Sequence, residues 1–202
     1  MKILPYGTRA LLLELDDIDE VLAWVEAIGS AGVDVVDVVP GARTLYLSVA
    51  TEEHVPALRD ALDGIVPDRR AATDGPVVEI PTVYDGPDLT DVAEATGLTT
   101  DEMVTAHTGR PWRVAFTGFA PGFGYLVDGD TRLEVPRRAS PRTSVPPGSV
   151  GLADVFSGVY PTSSPGGWQL IGRTDVRLFD VAASPPALLV PGMRVQFVAV
   201  TP

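Results

Sequence analysis

Trp112-Arg113-Val114-Ala115-Phe116-Thr117-Gly118-Phe119-Ala120-Pro121-Gly122-Phe123-Gly124-Tyr125-Leu126 is the stretch on which the reading of the fold turns. Arg113-Val114-Ala115-Phe116 is a short apolar run, and Gly118, Pro121, Gly122 and Gly124 interrupt the remainder of the stretch. From Trp112 onward the apolar runs stay short and are cut by Pro and Gly, as in Gln169-Leu170-Ile171 and Arg194-Val195-Gln196-Phe197-Val198-Ala199-Val200. No helical period replaces them. Short runs of this kind between turn residues predict the strands of a compact β-barrel or sandwich.

Upstream the texture changes. Leu89 to Thr96 and Asp101 to Thr108 are spaced as helices, and Thr99 with Glu102 has the capping-box separation before the second. Residues 76–202 hold 15 Pro and 14 Gly, whereas residues 1–75 hold 4 and 6. Net charge shifts as well, from −8 in the first part to −4 in the second. Between them lies the polar stretch Asp68-Arg69-Arg70-Ala71-Ala72-Thr73-Asp74-Gly75-Pro76, with its Gly-Pro turn signal. A domain boundary is expected there, giving an α/β domain over 1–75 and a β-barrel domain over 76–202.

In the first part Ala10 to Leu15 reads as a buried strand. Asp17 and Glu20 then open a helix with Ile18, Val21, Leu22, Val25 and Ile28 on one face, ended by Gly29 and Gly32. Val33 to Val39 and Thr44 to Val49 read as strands joined by Pro40-Gly41-Ala42-Arg43. Thr51 opens a second helix through Val55, Leu58, Leu62 and Ile65. This order predicts a ferredoxin-like α/β sandwich, closed by a strand at Val77 to Val83.

Composition narrows the chemistry. The chain has 202 residues, 45% hydrophobic and 21% charged, with a net charge of −12, which places it among folded globular chains. With no Cys, disulfides, thiolate nucleophiles, Fe–S clusters and Cys-type zinc sites are all excluded. Two His, His54 and His107, leave little room for a multi-histidine metal site. The acidic balance argues against binding nucleic acid or an anionic membrane. Arg9, Glu14, Asp16 and Asp17 spoil a secretory signal, and no apolar run is long enough to span a membrane, so a cytoplasmic protein is expected. Lys2 is the only lysine, which rules out a Gly-Lys-Ser/Thr phosphate loop. A Gly-x-Ser-x-Gly elbow is also absent.

What remains is a concentration of Gly, Pro, aromatic residues and Arg between residues 107 and 174. Phe119 and Phe123 either pin their loop to the barrel or form a pocket wall, with Gly122 letting a ligand approach the backbone. Arg110, Arg113, Arg132, Arg137, Arg138 and Arg142 face Asp128, Asp130 and Glu134, a local charge of +3. They form either a solvated basic face or guanidinium forks for a small anionic substrate. Ser163-Ser164-Pro165-Gly166-Gly167-Trp168 reads as a hairpin turn or as an anion loop beside an aromatic wall. His107, at a helix end, is favoured there by the helix dipole or serves as an acid/base group. His54, on an acidic helix start, reads as solvated surface.

These segments resemble the KipI family, also labelled allophanate hydrolase subunit 1 and now the 5-oxoprolinase B component (PxpB). The resemblance is carried by His107-Thr108-Gly109, Arg113 to Leu126, Pro136-Arg137-Arg138-Ala139-Ser140-Pro141-Arg142-Thr143-Ser144-Val145-Pro146, Gly148-Ser149-Val150-Gly151, Tyr160-Pro161 and Ser164 to Thr174. It departs from the family pattern at Ala120, Gly124 and Asp154-Val155-Phe156. The resemblance implies that the barrel is cyclophilin-like. It also implies a hetero-oligomer with a KipA-like component (PxpC) and a third component (PxpA), which opens 5-oxo-L-proline to L-glutamate with ATP and water. ATP with Mg then binds this chain or a partner. Within that frame His107, Tyr125, Arg142 and Arg173 are the catalytic candidates. Phe119, Gly122, Phe123, Gly166, Gly167 and Trp168 are the substrate-binding candidates, and no metal ligands are expected. The alternatives are a KipI-type regulator that inhibits a sensor histidine kinase and a carboxyltransferase-type component of a urea carboxylase or allophanate system. Prolyl isomerisation has only fold analogy behind it.

Overall fold

Asp17 begins the first helix as its sequence requires: its side chain accepts from Glu20 N at 2.8 Å, satisfying a donor that the helix leaves free. In the computed structural model, which describes residues 1–68 and 75–201, this helix is α1 (Ile18–Ala31). It runs through Gly29 and stops at Gly32, whose φ of 62° turns the chain out of the helix. With it stand β1 (Lys2–Pro5), β2 (Ala10–Glu14), β3 (Asp37–Pro40), β4 (Thr44–Ser48), a turn of 3₁₀ helix at Glu52–His54 and α2 (Val55–Asp63). The strands form an antiparallel sheet in the order β1-β2-β4-β3. Leu11 and Leu13 pair with Leu47 and Leu45, and alternation puts all four on one face. There they form a core with Val21, Trp24, Ile28, Leu58 and Leu62.

The ferredoxin-like expectation drew its closing strand from Val77 to Val83, and the structure corrects this. Residues Val77–Thr82 pair in parallel with Arg194–Ala199 in a different sheet, and the fourth place beside β2 is taken by β1. Burial explains the choice: Ile80 and Phe197 come side by side in the register and are both fully buried.

The chain divides into two compact units, Met1–Thr73 and Asp74–Pro202. The second contains β5 (Val77–Thr82), α3 (Leu89–Thr96), α4 (Thr100–Thr108), β6 (Trp112–Thr117), β7 (Gly124–Val127), β8 (Arg142–Val145) and β9 (Ser149–Ala153). It continues with β10 (Phe156–Val159), β11 (Ser164–Gly166), β12 (Gln169–Arg173) and β13 (Arg194–Ala199). Seven strands form one sheet in the order β12-β9-β10-β7-β6-β13-β5. Its two ends meet where Val83 and Arg173 exchange backbone hydrogen bonds of 2.9 Å, so the sheet is nearly closed into a barrel. The chain is therefore a mixed α/β protein. Ile80, Met103, Trp112, Leu126, Val150, Ile171, Leu189 and Phe197 fill the core. Each large apolar side chain so buried contributes about 1.5–3 kcal/mol. Helix α4 opens with the expected capping box between Thr99 and Glu102. The short strands β8 and β11 form a separate ribbon.

Candidate functional site

Phe119, Phe123, Tyr125 and Trp168 come together in one aromatic wall. Phe123 is its hub, with ring centroids 5.3 Å from Phe119, 5.0 Å from Tyr125 and 5.3 Å from Trp168. Edge-on geometry predominates, as the ring quadrupoles favour. Tyr160 joins the hub at 5.4 Å, and Phe116 stacks on Tyr125 at 4.4 Å. Phe123 and Trp168 are buried, whereas Phe119 is 59% exposed. Phe119 also has a φ of 65°, a region that bulky residues avoid, so the loop holds an aromatic ring outward at some cost in strain. Gly122, with φ of 85°, completes this turn, and a Cβ there would press on Phe179. Residues Thr117 to Gly122 line a cleft of about 410 Å³ with Ala187, Leu189, Val190 and Pro191.

Beside the wall lies a charged cluster. Strand β8 begins at Arg142, which pairs across the ribbon with Gly166, and Arg138 N donates to Gly167 O at 2.7 Å. A Cβ on Gly166 would collide with the Tyr160 hydroxyl, so glycine lets the ribbon approach the wall. Asp88 Oδ1 accepts from Arg138 Nη1 at 2.6 Å and from Arg142 Nη2 at 2.7 Å. Burial raises the pKa of the Tyr160 phenol, while the backbone N–H of Trp168 and the charges of Arg137 and Arg142 work against that rise. Burial likewise raises Tyr125, and Arg137 opposes it. Both phenols are therefore protonated donors at neutral pH. Arg142, Gly166, Gly167, Tyr125, Phe123 and Trp168 thus belong to one neighbourhood.

His107 and Arg173 do not join it. His107, expected at a helix end, lies in the last turn of α4 and is fully buried in the barrel. Its Nδ1 lies 2.7 Å from the Tyr84 hydroxyl and its Nε2 2.9 Å from Ser157 Oγ, while Trp112 Nε1 donates to its carbonyl. Burial drives its pKa down to about 3, so the ring is neutral and its two nitrogens are engaged. Placed so, it lies inside the core, away from the aromatic wall and the Asp88 cluster. Arg173 ends β12, half exposed, with Nε 3.0 Å from Asp85. Among the described residues no hydrogen bond or ion pair joins it to Arg142, Tyr125 or Trp168. Sequence reasoning missed Asp88, the residue that organises the cluster. It lies 50 residues before Arg138, and no local pattern announces the pairing. Among the described residues no group of three His, Cys, Asp or Glu side chains is placed to hold a metal. No helix of the described chain is long and apolar enough to cross a membrane.

The chain that carries this neighbourhood is similar to known proteins. The family described as "Carboxyltransferase domain, subdomain C and D" matches residues 1–189. The chain is 50% identical over 123 residues to the B component of 5-oxoprolinase from Escherichia coli O157:H7, covering 59% of this chain and 56% of that protein. It spans little more than half the length of the curated relatives it matches. Among solved structures it resembles a conserved uncharacterized protein of Pyrococcus horikoshii, with a TM-score of 0.60 and 34% identity over 98% of this chain and 97% of that one. The Kluyveromyces lactis urea carboxylase shares the fold, with a TM-score of 0.74 and 17% identity over all of this chain and 23% of the enzyme.

Proposed function

The chain belongs to the carboxyltransferase domain family, subdomain C and D, and from that premise we propose that it acts as the B component of an ATP-dependent 5-oxoprolinase. The observation that carries this reading is the 50% identity to a relative bearing that name. The site supports it chemically. A lactam acid is small, flat and anionic, and the wall of Phe123, Tyr125 and Trp168 beside Arg142 offers an apolar face and a fork for its carboxylate.

The reaction opens 5-oxo-L-proline to L-glutamate with consumption of one ATP and two waters. A lactam carbonyl is a weak electrophile, so phosphorylation of its oxygen by ATP precedes attack of water at the carbonyl carbon. ADP leaves in that phosphoryl transfer; the ring C–N bond of the hydrated carbon then breaks, the nitrogen takes a proton, and a second water cleaves the resulting γ-acyl phosphate to carboxylate and phosphate. Arg142 holds anionic oxygen in this scheme, the Gly166 and Gly167 amides face the developing oxyanion, and Tyr125 orients the ring or supplies a proton. ATP with Mg is assigned to a partner, because a chain with one lysine and no phosphate loop has no familiar cradle for it. The assembly requires the KipA-like PxpC and the third component PxpA, in the cytoplasm, and the chain alone is inactive. Architecturally, residues 1–75 are assigned as a ferredoxin-like domain, with β1 in the place of the usual last strand. Residues 76–202 are assigned as a cyclophilin-like barrel. Limited proteolysis is expected to leave a fragment that begins near residue 76 to 85, and a fragment spanning the boundary intact counts against the division.

The test is reconstitution. Purified chain mixed with PxpA and PxpC releases glutamate from 5-oxo-L-proline only when ATP is present, and the single chain releases none. Glutamate release by the chain alone at the rate of the mixture overturns its assignment as one component of three. Membership of the carboxyltransferase family also favours a carboxyl-transfer reading, so a parallel reaction supplies a carboxybiotin donor in place of ATP. Carboxyl transfer there without glutamate formation in the first assay replaces the oxoprolinase reading.

A further inference from the structure

Asp88 stands at the position before α3 where a carboxylate ordinarily caps the helix, yet its side chain makes no capping bond. Its backbone N–H donates to Leu170 O at 3.0 Å, and its Oδ2 accepts from Leu170 N at 2.6 Å. The residue is therefore locked to β12 by both main chain and side chain, with 2% of the side chain exposed. Oδ1 is left for two guanidinium groups at once, those of Arg138 and Arg142. One carboxylate against two guanidiniums leaves a whole positive charge unbalanced. The arginine side chains are only 33% and 22% exposed, so water compensates that charge poorly. Two further donors, Arg138 Nε and Arg142 Nη1, are covered and lack an acceptor among the described residues.

A cluster organised in this way has a surplus of N–H donors and of positive charge, and both arginine side chains still reach solvent in part. Its neighbours are the glycine end of β11 and the aromatic wall, through the Gly166–Arg142 pairing and the action of Arg142 on Tyr160. We propose that Arg138 and Arg142, held side by side on Asp88, form a binding site for one small oxyanion, and that Asp88 is the positioning residue that aims them. The chemistry recognised is that of a carboxylate or a phosphate, planar or tetrahedral oxygen with a negative charge. Only the identity of the ligand rests on the oxoprolinase assignment: the carboxylate of 5-oxo-L-proline or a phosphoryl group from ATP.

Removing one arginine leaves Asp88 and the other as a balanced pair, so Arg138→Gln and Arg142→Gln are expected to fold and to melt within a few degrees of the unsubstituted chain. Binding is measured by calorimetry on the full chain at low ionic strength, with 5-oxo-L-proline, 2-pyrrolidinone and inorganic phosphate as separate probes. The expected result is binding of 5-oxo-L-proline or phosphate, none of 2-pyrrolidinone, and at least tenfold weaker binding in each Gln variant. Binding of 5-oxo-L-proline alone identifies the carboxylate as ligand, and binding of phosphate alone identifies the phosphoryl group. Asp88→Asn separates positioning from simple charge. It adds net positive charge, so pure Coulomb attraction strengthens anion binding, whereas loss of aim weakens it. At least tenfold weaker binding is expected, and tighter binding overturns the positioning role. If that variant does not fold, the two arginine variants carry the test alone. Failure of both anionic probes to bind, or unchanged binding in both Gln variants, overturns the site. Glutamate release is scored separately: its absence alongside intact anion binding removes the oxoprolinase assignment and leaves the site standing.

Discussion

Two polar clusters in the barrel unit satisfy burial in opposite ways. Tyr84, His107 and Ser157 form a chain inside the core in which every member is neutral. Asp88, Arg138 and Arg142 are joined by ion pairs where the arginines still reach solvent. The difference follows from the cost of desolvation. A fully enclosed ionisable group gives up its charge unless a counter-charge is enclosed with it, and His107 has only hydroxyls within reach. The arginines cannot lose their protons, so the fold supplies Asp88 and leaves the remainder open. A sealed neutral chain stabilises one packing of the core. An open cluster with surplus charge can respond to a ligand.

The sharpest way to break this contrast is to remove the shared anion. Asp88→Ala leaves two guanidiniums facing each other in a half-buried place and deprives Leu170 N–H of its acceptor. A loss of about 3–5 kcal/mol is expected, toward the lower end because both arginines reach water. Arg142→Gln, which leaves a balanced pair, is expected to change stability by less than about 1 kcal/mol. Urea unfolding of the three proteins measures both, and equal losses for the two variants would show that the charges are not arranged as an unbalanced triad.

The neutral cluster is tested by acid. His107 has a folded-state pKa of about 3, below the ordinary value of 6.5, so the unfolded chain binds the extra proton first. Its contribution is therefore complete above about pH 6.5 and is lost as the pH falls below that. By pH 5 the loss amounts to about 2 kcal/mol, in a range where carboxylates still carry charge. His107→Gln, already destabilised at pH 7, lacks this slope between pH 6.5 and 5. A wild-type stability curve that is flat over that interval would mean that the imidazole reaches solvent.

How much of this was legible in the sequence depends on the distance over which each feature is decided. Asp17 with Glu20 and Thr99 with Glu102 marked helix starts, because capping is settled within one turn. For Phe119, Phe123 and Trp168 a wall was one of two readings and Tyr125 stood as a catalytic candidate; that all four meet on one face is decided by short strands and tight turns far apart in sequence. The partner of Val77–Thr82 was not legible, because its pairing with Arg194–Ala199 depends on closing a sheet across the whole unit. Strand β1 escaped for another reason: Lys2–Pro5 is four residues long and ends in proline, too short for a pattern. The burial of His107 was not legible, because it is decided by strands such as Phe156–Val159 that lie far along the chain and bring Ser157 to its ring. Asp88 carried no signal at all, since an aspartate before a helix looks like a cap whichever way its carboxylate turns.

The smallest effect is expected at Arg173, and it sharpens the comparison most directly. By sequence Arg142 and Arg173 are equivalent candidates, each an arginine in a glycine-rich block. In the structure each has a carboxylate, but the stoichiometry differs. Arg173 meets Asp85 one to one at 3.0 Å, with 51% and 45% of the side chains exposed, so no charge is left over. An exposed pair of this kind contributes about 0–1 kcal/mol. The structural work of this position is done by its backbone, which exchanges two hydrogen bonds with Val83 where the barrel closes, and alanine keeps both. Arg173→Ala is therefore expected to shift stability by less than about 1 kcal/mol. Glutamate release in the reconstituted complex is expected to fall by less than about threefold, while Arg142→Gln lowers it by at least about tenfold, the loss expected when a charged hydrogen bond to an anion is removed. A large loss for Arg173→Ala with unchanged stability would extend the anion site along β12 and end the distinction between the two arginines.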